Sequence, residues 1–304
     1  GARGPAPSPP AAPPPGRGSM MSFSQSEWLN MQELHFGEPL GSGGFGTVYR
    51  GTLRGEEVAI KRLHPTQGGG VTAGQLAEFQ KEVGHLRALR HPRLVRFIGV
   101  ALELPMVCIV TELAVGGSLH ALLHVRRAAL PEAHRWSIVL EVVEGVAFLH
   151  SLRPPCVHRD LKSANVILDA ELRAKLCDFG LAEPMDKTHI SRRDTEGGSP
   201  RYMAPEAFDS RCRITEKVDI WALGCVAVET VLSRQPHEDC SSLQQVAAKL
   251  LVRQEGPFAT GWTRELHPGA GPLLEPCLAH SEAGRPTAAA LLEDLRRLEL
   301  QAAL

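Results

Sequence analysis

No Cys-x-x-Cys pair occurs in this 304-residue chain, and its seven cysteines (Cys108, Cys156, Cys177, Cys212, Cys225, Cys240 and Cys277) are odd in number and scattered. That removes the usual zinc and dithiol signatures. Thiols dispersed among apolar runs read as reduced cysteines of a cytoplasmic protein. Net charge is lacking too: 33 Lys and Arg stand against 34 Asp and Glu. Nothing in that balance points to nucleic acid or an anionic membrane surface as a partner. Long apolar runs are absent. The longest nearly apolar stretch, Trp221 to Val231, is too short to span a bilayer and contains Glu229. No signal peptide is visible. A chain opening on Gly1 rather than Met reads as a fragment, which leaves a span or second domain outside it open. There is no internal repeat. The 43% apolar and 22% charged content is that of a soluble globular protein, long enough for two lobes with a core each.

Residues 1–33 read as a disordered, Pro/Ala/Gly-rich tail and a lead-in, because the tail has too little apolar surface to offset its chain entropy. Pro7 and Pro10 form a P-x-x-P pair, a weak pointer to an SH3-type partner without the usual basic companion. From Leu34 short β-type runs appear, Thr47-Val48-Tyr49 and Val58-Ala59-Ile60, broken by glycine. A Gly-rich loop over 68–74 precedes Leu76, Phe79, Val83, Leu86 and Leu89 at helical spacing. Met106 to Val110 is a buried-strand candidate. Beyond about 118 the pattern is mainly helical, clearest over Trp136 to His150 and Val218 to Leu232. A last helix follows Pro286, with Thr287 as its N-cap and Leu291, Leu292, Leu295 and Leu298 on one side. The expected fold class is α+β, a small β-rich lobe followed by a larger helical one.

Gly41-Ser42-Gly43-Gly44-Phe45-Gly46-Thr47-Val48 fits G-x-G-x-x-G-x-V. Glycines let the backbone approach a polyphosphate with its amides. Alone the pattern is weak, since a tight turn or a dinucleotide site also fits it. A dinucleotide fold would place a helix directly after the glycines, whereas a strand-like run follows and leads to Lys61. No Gly-Lys-Ser/Thr closes the loop, so the Walker pattern is absent. An ammonium in an apolar strand needs an anion nearby. Glu78 and Glu82, one helical turn apart on one face of the next expected helix, are the candidates for that anion.

His158-Arg159-Asp160-Leu161-Lys162-Ser163-Ala164-Asn165 is the most specific motif. Cys177-Asp178-Phe179-Gly180 and Ala204-Pro205-Glu206 follow in order. With these motifs in hand, the chain resembles a eukaryotic protein kinase over nearly its whole length past residue 34. Its loop and the Glu82-Val83-Gly84-His85-Leu86 segment are most similar to the tyrosine-kinase-like group, such as mixed-lineage and Raf-like kinases, which act mostly on Ser and Thr. The resemblance implies a kinase domain over 34–298, with an N-lobe at 34–111, a hinge at 112–117 and a C-lobe at 118–298.

It also implies ATP and Mg2+ as cofactors and the following roles. Asp160 orients the substrate hydroxyl and accepts its proton, and Lys162 contacts the moving phosphate. Lys61 and Glu82 form the pair that holds the ATP phosphates. Asn165 and Asp178 hold magnesium through oxygen. Leu40, Gly41, Ser42, Gly43, Gly44, Phe45 and Gly46 border the nucleotide. Val48, Ala59 and Ile167 sandwich the adenine, Thr111 guards the back of its pocket, and Glu112 and Ala114 offer backbone groups. Phe179 and His158 pack with Leu86 and Phe97 rather than react. Asp219 braces the catalytic loop and Arg285 pairs with Glu206. Cys177 lines the pocket.

Lys162 and the segment Gly198 to Glu206 point to Ser/Thr acceptors, with Ser199 where many such kinases carry Thr. Either hydroxyl could bond to Asp160 and Lys162. Arg159 beside Asp160 suggests control by a phosphate at Thr188, Ser191, Thr195 or Ser199. The expected partners are ATP and protein substrates. A tyrosine or dual-specificity kinase and a catalytically silent scaffold are the alternatives. The presence of Lys61, Asp160 and Asp178 argues against the scaffold.

Overall fold

The computed structural model describes residues 24–43, 46–65, 70–185, 199–209 and 211–302. A five-stranded antiparallel sheet forms the first lobe. Its strands are β1 (Leu34–Ser42), β2 (Gly46–Leu53), β3 (Glu56–Leu63), β4 (Phe97–Glu103) and β5 (Met106–Glu112), in the order β1-β2-β3-β5-β4. Helix α1 (Ala73–Ala88) lies between β3 and β4 in the chain. Side chains alternate across a strand, so β5 supplies two cores. Val107 and Ile109 join the main core, while Cys108 and Val110 join a second cluster with Val58, Ile60, Leu29 and Met31. A strand buried on both faces reads as an unbroken apolar run, which is why Met106 to Val110 shows no alternation.

The lead-in differs from the expectation drawn for 1–33. Residues 24–33 are folded: two 3-10 turns carry Leu29 and Met31 into the second cluster, and Leu29 N donates to Val100 O at 2.8 Å. The apolar group Trp28, Leu29 and Met31 supplies what the tail lacks. The Pro7–Pro10 pair lies outside the described residues. Helix α1 starts at Ala73, capped by Thr72, whose hydroxyl accepts from Gln75 N at 3.1 Å. Gly74 therefore sits in the helix's first turn rather than in the loop expected over 68–74; Gly68 and Gly69 are outside the described residues. Arg87 near the end of α1 pairs with Glu27 of the lead-in at 2.8 Å.

The second lobe begins after β6 (Gly117–Ser118) and a π-helical turn, Ala121–Val125. Helix α2 (Glu132–Ser151) opens four residues before the run read from the sequence and packs its Ile138, Val142, Val146 and Leu149 into the core. Short strands β7 (Cys156–Val157), β8 (Val166–Leu168), β9 (Ala174–Leu176) and β10 (Glu183–Pro184) carry the loops that follow. Helices α3 (Pro205–Phe208), α4 (Lys217–Leu232), α5 (Leu243–Leu251), α6 (Ala270–Leu274) and α7 (Ala288–Ala302) complete the lobe. Helix α4 is central and buried on every side from Asp219 to Thr230, as a mostly apolar helix without an exposed face must be. Thr287 accepts from Ala290 N at 3.1 Å, the expected cap. Among the described residues, no helix is long and apolar enough to cross a membrane.

Candidate active site

Cross-strand register gathers the residues expected to face a nucleotide on one face of the sheet. Val48 pairs with Lys61 and Ala59 with Thr111, so Val48, Ala59, Lys61 and Thr111 share that face. Leu40 near the end of β1 is exposed. Gly43 N donates to Gly46 O at 2.9 Å; Gly44 and Phe45 lie outside the described residues. A side chain at Gly46 would collide with the Arg62 carbonyl, whereas one at Gly41 or Gly43 would enter open space. Ser42 bonds Thr47 through its hydroxyl at 3.1 Å. Ile167 packs half-buried against the main core. Glu112 N donates to Arg96 O at 3.0 Å, so a base can meet Glu112's backbone only through its carbonyl. Ala114 O accepts from Gly117 N at 3.1 Å.

Lys61 Nζ donates to both carboxylate oxygens of Glu82, at 2.7 and 2.9 Å, and to Asp178 Oδ1 at 3.2 Å. Glu82 is buried and Glu78 exposed, which decides between the two glutamates. Burial works against the Lys61 charge, but Glu82 and Asp178 outweigh it and its pKa is raised. Burial likewise pushes Asp178 up, and Lys61 beside it more than offsets this, leaving the carboxyl below its usual range. Both groups are thus charged at neutral pH.

The loop over 158–165 is held from below. Buried Asp219 near the start of α4 accepts from His158 N at 2.8 Å, Arg159 N at 2.9 Å and His150 Nε2 at 2.9 Å. Those bonds hold Arg159 at φ 68°, a left-handed conformation that side chains rarely adopt unless their surroundings enforce it. Asp160 follows. Its carboxylate accepts from Lys162 Nζ at 2.7 Å, Asn165 Nδ2 at 3.0 Å and Ser199 Oγ at 3.1 Å, and Lys162 Nζ also reaches Ser199 Oγ at 2.7 Å. Because Asn165 spends its amide nitrogen on Asp160, its oxygen is the atom that could meet a cation. His158 is fully buried, 5.2 Å from the Phe179 ring, with Nε2 3.1 Å from Cys177 O. Leu86 and Phe97 belong to the same core as Phe179. Burial, then the Asp178 charge, pushes the Cys177 thiol up, which makes it a poor nucleophile.

Two networks escaped the sequence reading. Glu229, noted only as an interruption of an apolar run, is fully buried. It accepts from Ser163 Oγ, Tyr202 Oη and His124 Nε2, each at 2.8 Å. A lone carboxylate in an apolar helix was the available signal, since burial requires such partners. Glu183 of β10 meets both Lys81 and Arg159; nothing in the local sequence marks it. Beside the loop a cavity of about 490 Å³ is lined by Lys162, Ser199, Tyr202, Gln235, Leu243 and Val246, among others.

Residues 34–295 match the protein kinase domain family. The chain is 36% identical over 270 residues to the serine/threonine-protein kinase CTR1 of Arabidopsis thaliana, covering 88% of this chain and 32% of that protein. It is 32% identical to the serine/threonine-protein kinase STY46 of the same plant, covering 89% and 45%. It is also 32% identical to the dual specificity protein kinase shkC of Dictyostelium discoideum, covering 91% and 53%. The chain thus spans between about a third and about half of these relatives' lengths. With a bilobal α+β architecture, the ordered motifs and this match over most of its length, the chain belongs to the protein kinase family, and within it resembles the tyrosine-kinase-like group.

Proposed function

We propose that this chain transfers the γ-phosphoryl group of ATP to serine and threonine hydroxyls of protein substrates. The observation that carries this reading is the convergence at Asp160. Its carboxylate is bonded by Lys162 and Ser199 on the acceptor side and by Asn165 toward the metal side. Phosphoryl transfer demands positioning and charge neutralisation more than covalent chemistry. Asp160 takes the acceptor hydroxyl's proton. Lys162 bridges Asp160 and Ser199 and supplies a point charge for the phosphate in transit. Lys61, held by Glu82, reaches the phosphates that remain.

The donor set fits magnesium and a triphosphate. Asp178 carboxylate and Asn165 amide oxygen are hard ligands, and two ligands suffice where phosphates and water supply the rest. The open space at Gly41 and Gly43 suits phosphate oxygens. When bound, magnesium neutralises charge on the phosphates. Leu40, Val48, Ala59 and Ile167 would enclose the adenine, Thr111 would bound its pocket, and Glu112 and Ala114 would offer backbone groups. The cavity beside Lys162 and Ser199 would receive the acceptor segment. Cytoplasmic location belongs to the same reading, supported by seven free thiols. The kinase domain in this reading spans 34–298, with its hinge at 112–117.

A dual-specificity enzyme is the second reading, favoured by the similarity to the dual specificity protein kinase shkC. Peptide arrays carrying Ser, Thr or Tyr acceptors, incubated with Mg-ATP, separate the two. Label on Ser and Thr alone is expected; equal label on Tyr overturns the Ser/Thr assignment. Asp160→Asn should lower transfer by at least about a thousandfold while nucleotide affinity changes less than about threefold. Full transfer by that variant would remove Asp160 from its role.

A further inference from the structure

Glu183 occupies a position that the activity does not by itself require. Antiparallel pairing of β10 with β7 sets Glu183 opposite Val157, two residues before Arg159, and Met185 N donates to Pro155 O at 2.7 Å. This register presents the Glu183 carboxylate to the catalytic loop. One oxygen, Oε2, meets two cations: Lys81 Nζ of helix α1 in a close ion pair, and Arg159 Nη1 at 3.6 Å. Arg159 is buried, and Lys81 and Glu183 are each partly covered. Lys81 neighbours Glu82, the partner of Lys61. One turn on, His85 Nδ1 lies 3.3 Å from the Phe179 carbonyl. Helix α1 is therefore fastened at three successive points: to the ATP lysine, to the Asp178-Phe179 segment, and through Glu183 to the catalytic loop.

We propose that Glu183 is a positioning residue: its carboxylate joins Lys81 to Arg159 and holds α1 in the arrangement that delivers Glu82 to Lys61, so that this arrangement does not require a phosphate on the 186–198 segment. A carboxylate placed between two cations does what an added phosphate would do at the same arginine. Two ion pairs sharing one oxygen in a partly dehydrated setting are stronger than exposed pairs. Ser199 is unsuited to be the phosphate carrier, because its hydroxyl is already bonded to Asp160 and Lys162 and a phosphate there would repel Asp160.

This inference rests on the kinase reading for its activity readout but has one readout that does not. The full chain is stripped of phosphate with a phosphatase, checked by mass spectrometry, and compared with Glu183→Gln, Lys81→Met and the double variant. Hydrogen exchange of the α1 amides is followed, together with kcat and the KM for ATP. The dephosphorylated wild type should keep its kcat within about twofold. Each single variant should exchange faster across α1 and lose about tenfold in kcat, and the double variant should lose no more than either single one. A dephosphorylated wild type as slow as Glu183→Gln overturns the proposal, as does a Glu183→Gln variant with wild-type exchange and kcat. The wild-type arm holds even if a variant folds poorly. If no form phosphorylates any peptide, yet α1 exchange still quickens in both single variants, the kinase reading fails and the positioning role stands.

Discussion

At the scale of single residues, His237 shows how burial dominates a titration. It is fully buried, and among the described residues neither ring nitrogen has a hydrogen-bond partner. Burial first, then the nearby Lys249 charge, lowers its pKa from 6.5 to about 4. The folded chain therefore refuses a proton that the unfolded chain accepts between those values. Stability contributed by the neutral ring is complete above pH 6.5 and is lost as pH falls through about 4, a change of up to ~3 kcal/mol. Urea midpoints measured from pH 7 to pH 4 should fall, and His237→Leu should flatten that fall; an unchanged slope in the variant would assign the acid sensitivity elsewhere. The same scale separates readable from unreadable site residues. Asp160 and Asp178 announce themselves because their neighbours are fixed by the chemistry. Glu183 does not, because its partners Lys81 and Arg159 lie 102 and 24 residues away (183 − 81 and 183 − 159).

At the scale of elements, α4 does two jobs at once. Its first turn supplies Asp219 to the loop over 158–165, and its last turns supply Glu229 to Ser163 and Tyr202. The helix must be held in place axially for both to register, and at Gly224 it packs tightly against Cys277 and Leu278. A methyl group there would come within 2.9 Å of Cys277 Cβ and 3.0 Å of Leu278 Cδ2. Alanine gains about 1 kcal/mol of helix propensity over glycine, but overpacking a close contact costs roughly 1–3 kcal/mol. Gly224→Ala is therefore expected to destabilise by about 1 kcal/mol and to lower activity at 37 °C more than at 20 °C. A variant with raised thermal stability would show that this contact can relax. Helix α4 was legible as a helix from its apolar run. The faces it offers to two loops were not, since a helix buried on all sides carries no periodic mark of what packs where.

At the scale of the whole molecule, the helical lobe is closed by Arg285. Its guanidinium is fully buried and bidentate to Glu206 of α3, at 2.6 and 2.8 Å. The other donors reach Ala279 O, Lys217 O and His280 O, so all five N–H groups are used. It lies 5.1 Å over the Trp221 ring. Helix α3, the start of α4 and the turn before α7 are thus joined through one side chain. Removing one partner strands the other charge, so Arg285→Ala should cost ~3–5 kcal/mol by denaturant unfolding. Arg285→Lys should recover little of it, because an ammonium cannot reproduce the planar fork. Recovery to within about 1 kcal/mol by lysine would show that charge rather than geometry is what matters.

The sequence by itself determined the family, the α+β class and the identity of the motif residues. These follow from local order: glycines before a strand, a lysine in an apolar strand, and Asp160, Lys162 and Asn165 at fixed spacing on one loop. The tertiary structure decided which of two glutamates meets Lys61, that 24–33 belongs to the folded body, and that Glu183 and Glu229 tie the loops together. The physical reason is distance along the chain. A spacing pattern records what neighbours within a turn or a strand must do. A buried charge is matched by whichever partner the packing brings to it, and packing is a property of the whole fold.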